Sequence, residues 1–131
     1  LQHAAAQIPL YGKIAAGTPI EAIANETETL SVPFDMVSRG QFYALKIEGD
    51  SMKDAGILNG DTAIIKKADT ANNGEIVVAL VDNNEATLKV LQKKGTEVWL
   101  VPCNSEYETR KLDARRVKVQ GILSSLIRNY H

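Results

Sequence analysis

Short runs of Val and Ile, interrupted by turn residues every few positions, constrain this chain more than any other feature. From Ile8 onward Gly, Pro, Asn-Gly and Asn-Asn signals recur too closely for a sustained amphipathic helix. An all-β domain follows. Strands are expected over residues 42–48, 62–67, 75–81, 86–91, 97–101 and 116–127, where β-branched and aromatic residues concentrate. Residues 81–84 (Val-Asp-Asn-Asn) and Lys94-Gly95 lie between such runs as hairpin turns. Asn59-Gly60 suits a tight turn with positive φ. Helix is limited to single turns near residues 33–37 and 52–55. Residues 1–7 carry three alanines and no capping pattern, so they are expected to be a tail or linker stub, with the domain proper at 8–131.

Charge narrows the function classes. Fifteen Lys plus Arg against sixteen Asp plus Glu give a net charge of -1, which supplies no overall field for a phosphate backbone. This segment is not expected to bind nucleic acid. The longest apolar run, residues 76–81, is too short for a bilayer, so the expectation is a soluble, cytoplasmic protein with no membrane partner. The single cysteine, Cys103, excludes an internal disulfide and a multi-thiolate metal site. Leu1 opens the chain and the first methionine is Met36, which points to a start upstream.

Elimination then shapes the chemistry. The two histidines, His3 and His131, lie at the chain ends, so neither is expected beside a nucleophile or in a zinc site. Cys103 has no evident neighbour to lower its pKa. No glycine spacing matches a nucleotide loop, and no cofactor or metal is expected. What remains is Ser51, in Gly49-Asp50-Ser51-Met52 at the end of a predicted strand, where its hydroxyl and nearby amides can face a cleft. Without histidine the serine needs another base, and a lysine kept neutral by apolar enclosure can serve. Lys89, within Thr87-Leu88-Lys89-Val90-Leu91, and Lys46, within Ala44-Leu45-Lys46-Ile47, both qualify, and periodicity does not choose between them. Upstream, Ile14-Ala15-Ala16-Gly17 offers almost no side chain and could lie in a narrow cleft.

Taken in order, Ala15-Ala16-Gly17, Gly49-Asp50-Ser51-Met52, Asn59-Gly60-Asp61, Thr87-Leu88-Lys89, Asn104-Ser105 and Val119-Gln120-Gly121 resemble the LexA repressor family of self-cleaving peptidases. The resemblance implies a mainly β fold of highly twisted antiparallel sheets, related to signal peptidases. It implies a cut between Ala16 and Gly17, with Ser51 as nucleophile, Lys89 as general base and the amides around Ser51 as oxyanion site. It also implies partners: a second copy in a homodimer, a RecA filament on single-stranded DNA that promotes cleavage, and operator DNA bound through an N-terminal winged helix-turn-helix domain absent from this chain. The run 116–127 reads either as a dimer edge, where a long strand would pair with its symmetry mate, or as an interior strand. A self-cleaving subunit of an error-prone polymerase, of the UmuD type, is the alternative, but that family shows Cys-Gly at the cut.

Overall fold

The computed structural model describes residues 5–14, 28–37 and 39–130. Among them the chain forms β1 (Ala5–Ile14), β2 (Thr29–Pro33), β3 (Phe42–Ile47), β4 (Thr62–Lys67), β5 (Ile76–Val81), β6 (Glu85–Lys94), β7 (Glu97–Val101), β8 (Arg110–Asp113) and β9 (Val117–Ile127). The helical pieces are 3₁₀ turns at Phe34–Met36, Lys53–Ala55 and Ala114–Arg116. The all-β expectation holds. The strands run in the order β2-β1-β3-β4-β9-β5-β6-β7-β8. All neighbours are antiparallel except β1 and β3, which pair in parallel.

The continuous apolar runs exist because the middle strands are covered on both faces. In β3, Tyr43, Leu45 and Ile47 enter one core cluster with Met52, Ile57, Val78 and Leu88, while Ala44 points the other way, toward Ile8, Val32 and Ile64. In β5, Val78 joins that first cluster and Val77, Ala79 and Val81 enter a second with Leu91, Leu100 and Leu112. This is the two-residue alternation of a strand, with both sides apolar. The turns follow the sequence as well. Asp82 and Asn83 both take positive φ between β5 and β6, and Gly95 does so between β6 and β7.

Two features differ from expectation, and a third decides between two readings. First, β1 already includes Ala5 to Gln7, where a tail had been expected, because this stretch pairs with residues 31–33 of β2. Second, β2 and β8 went unpredicted: β8 reads Arg-Lys-Leu-Asp, with one apolar residue, and takes its shape from pairing with β7. Third, β9 lies inside the strand order rather than at its end, with residues 121–127 paired to β4 on one side and residues 117–122 to β5 on the other, so that only Gly121 and Ile122 are paired on both sides. Its register shifts against β4 at Ser124 and against β5 at Gln120, two bulges that bend it between its neighbours. The Gln120 carbonyl at the second bulge accepts a 3.0 Å hydrogen bond from the Tyr43 hydroxyl.

Candidate active site

Ser51 stands where β3 gives way to a tight turn. Gly49 takes φ +100° and its N-H donates to Asn59 Oδ1 at 2.8 Å, so the chain turns sharply against the Asn59-Gly60 turn. Met52, 3% exposed, plugs into the core immediately after the serine. The short 3₁₀ turn Lys53–Ala55 then ends on Gly56 in the left-handed region. Ser51 is thereby held half-buried at the rim between a core anchor and solvent.

Lys89 approaches from β6, where it pairs with Val77 across the ladder. Glu85, Thr87 and Lys89 share one face of that strand by the two-residue period. All three line a cleft of about 120 Å³ together with Ile47, Glu48, Gly49, Ser51, Met52 and Leu88. The structure thus brings Ser51 and Lys89 to one cleft. The Lys89 ammonium donates to Thr87 Oγ1 at 2.5 Å. Burial pushes the Lys89 pKa below the ordinary lysine range, the positive charge of Arg110 pushes it further, and the Glu85 carboxylate opposes both. Glu85 is itself occupied by Arg110 at 2.8 Å, in a pair 31% and 38% exposed. A half-buried amine beside a cation and a neutralised carboxylate is set up to lose its proton.

Lys46 goes elsewhere. It pairs with Thr62 and lines a different hollow with Leu58, Asn59, Asp61, Ile127 and Arg128. Ala16 and Gly17 lie outside the described residues, as do His3 and His131. Cys103 is a free, half-buried thiol whose backbone meets the Ser51 turn: its N-H donates to the Ser51 carbonyl at 2.9 Å. No cluster of His, Cys, Asp or Glu among the described residues could hold a metal ion. No helix among them is long and apolar enough to cross a membrane.

Glu85 and Arg110 were not singled out from the sequence, and Thr87 and Asn104 entered only as parts of motifs, with no role of their own. Thr87 could have been, since its two-residue spacing from Lys89 places it on the same strand face. Arg110 could not, because it reaches Glu85 across 25 residues and only after β7 and β8 have paired.

A family model described as Peptidase S24-like matches residues 9–124. The chain is 56% identical over 126 residues to the LexA repressor of Granulibacter bethesdensis, an alignment covering 96% of this chain and 52% of that protein. It is 55% identical over 123 residues to the LexA repressor of Paramagnetospirillum magneticum, covering 94% and 52%. With the LexA repressor of Pelagibacter ubique it shares 53% identity over 124 residues, covering 95% and 55%. The chain spans about half the length of the curated relatives it matches.

Proposed function

This chain belongs to the peptidase S24-like family, and from that premise we propose that it is the self-cleaving part of a LexA-type repressor of DNA-damage genes, cutting its own Ala16-Gly17 bond. The observation that carries the reading is the shared cleft of Ser51 and a Lys89 whose charge is disfavoured by burial. In this reading neutral Lys89 takes the Ser51 hydroxyl proton as Oγ attacks the Ala16 carbonyl carbon. Backbone N-H groups at the turn stabilise the tetrahedral oxyanion. Lys89 then returns the proton to the Gly17 nitrogen as the peptide bond breaks, and water hydrolyses the resulting ester.

A bond tethered beside its nucleophile reacts at effective concentrations up to about 10⁵ to 10⁸ M, so a repressor that must persist keeps that bond out of the cleft most of the time. A RecA filament on single-stranded DNA would act by binding the docked form better, which shifts the equilibrium without supplying catalytic groups. Operator binding belongs to a segment other than this chain, and the working unit is a homodimer.

The test is self-cleavage against pH. Since the lowered pKa of Lys89 makes the neutral amine more abundant as pH rises, fragments 1–16 and 17–131 should accumulate faster in alkali. Ser51→Ala and Lys89→Ala should yield neither fragment, while Lys46→Ala should cut normally. RecA filaments should raise the rate near neutral pH. Cleavage surviving in Lys89→Ala, or a cut at another bond, would overturn the assignment.

A further inference from the structure

One loop grips the peptide groups on both sides of Ser51. Asn104, 5% exposed, donates from Nδ2 to the Asp50 carbonyl at 2.9 Å. The adjacent Cys103 N-H donates to the Ser51 carbonyl at 2.9 Å, and the Cys103 carbonyl accepts from the Asp54 N-H at 2.8 Å. Tyr107 adds a fourth tether, its hydroxyl donating to Asp50 Oδ1 at 2.6 Å. The loop is braced internally as well: Asn104 Oδ1 accepts from the Glu106 N-H at 2.9 Å, and the Asn104 carbonyl from the Tyr107 N-H at 3.0 Å.

These bonds have a directional effect. In a trans peptide the C=O and N-H point opposite ways. Holding the Asp50 carbonyl toward Asn104 therefore turns the Ser51 N-H away from that loop, and holding the Ser51 carbonyl toward Cys103 does the same to the Met52 N-H. Neither N-H donates to a partner among the described residues. With both flanking planes fixed, φ and ψ of Ser51 are fixed, and so is the direction of its Cα-Cβ bond. Among the described residues Asn104 is one of three buried polar or charged ones, and one of its side-chain amide N-H bonds is spent on this peptide.

We propose that the loop carrying Cys103, Asn104 and Tyr107 is the positioning element of the nucleophile, aiming Ser51 Oγ at the cleft and presenting the Ser51 N-H to the oxyanion. This rests on the reading of Ser51 as nucleophile. Asn104 touches neither substrate nor Lys89 in this account. It acts through the Asp50-Ser51 peptide, so its loss should lower the rate without changing the protonation of the base.

The experiment is the pH profile of self-cleavage in Asn104→Ala and Tyr107→Phe, each checked for folding by thermal denaturation, with Ser51→Ala alongside. Removing an oxyanion donor outright costs about 10² to 10³ in rate. Here the donor stays and only its restraint is lost, so the alkaline plateau should fall about tenfold in Asn104→Ala and about two- to threefold in Tyr107→Phe. The midpoint pH should stay where it is in both. Should Asn104→Ala not fold, the decision passes to Tyr107→Phe, whose tether lies on the exposed side of the turn. An unchanged plateau overturns the proposal, and so does a plateau that falls only together with a shifted midpoint. If Ser51→Ala still cuts, the reading of the nucleophile fails instead, which separates the two results.

Discussion

Gly121→Ala tests how tightly β9 is wedged between β4 and β5. Gly121 lies opposite Lys67 on one side and Val78 on the other, next to the bulge at Gln120. A Cβ there would come within 2.4 Å of Ile65 Cγ2, 2.8 Å of the Lys66 carbonyl oxygen and 2.9 Å of the Tyr43 hydroxyl. The first contact is more than 1 Å inside an ordinary carbon-carbon approach of about 3.5 to 4.0 Å. None of the three can yield freely. Ile65 is fully buried, the Lys66 oxygen belongs to the paired backbone, and the Tyr43 hydroxyl is tied to the Gln120 carbonyl. Overpacking of this kind costs about 1 to 3 kcal/mol, and displacing the Tyr43 hydrogen bond adds about 1 kcal/mol. The smaller entropy of an unfolded alanine returns about 0.4 to 1 kcal/mol. The net loss is about 1 to 3.5 kcal/mol, equivalent to about 4 to 14 °C in Tm for a domain of this size. Urea and thermal unfolding measure it directly. Tyr43→Phe removes one of the clashing atoms, so the double variant should lose less than the two single losses added together. A Gly121→Ala protein melting within 2 °C of the parent would refute the reasoning.

Arg110→Ala should move the midpoint of self-cleavage to higher pH. It removes a cation that disfavours the Lys89 ammonium and also releases Glu85, which favours it, so both changes raise the pKa of the base. Glu85→Gln should move the midpoint down, and an Arg110→Ala profile that stays put or moves down would remove Arg110 from the account. Sedimentation of the Ser51→Ala protein without DNA should show a dimer at micromolar concentration. Monomer alone at high micromolar concentration would sink the homodimer.

What the sequence disclosed depended on whether the information was local. The middle strands were legible because burial on both faces writes an unbroken apolar run, as in residues 76–81. The turns at residues 82–83 and 95 were legible because positive φ selects Asn, Asp and Gly. β1, β2 and β8 were hidden, since they take their form from partners distant in sequence. β9 was recognised as a strand, but its place was not, because local sequence does not say which ladders a strand will fill. Ser51 announced itself at a strand end. Lys89 and Lys46 have equally apolar flanks, and what separates them is which hollow each strand face meets: Lys89 meets the Ser51 cleft, whereas Lys46 meets the region of Asp61 and Arg128. Asn104 sits 54 residues from the carbonyl it holds, beyond any local pattern.

The central place of β9 bears on the order in which the domain can be assembled. The ladders divide into one group from β1 to β4 and another from β5 to β8, and the strand that joins them is the last of the nine in chain order. Ser51 belongs to the first group and Lys89 to the second. A growing chain can hold either half of the cleft, but the sheet that fixes one against the other closes only once residues 117–127 are available. Such late, long-range pairing makes folding slow. On the proposed reading of Ser51 as nucleophile and Lys89 as base, it also means that a nascent polypeptide carries both for some time before they can be drawn together, and is shielded from that chemistry until residues 117–127 have been made.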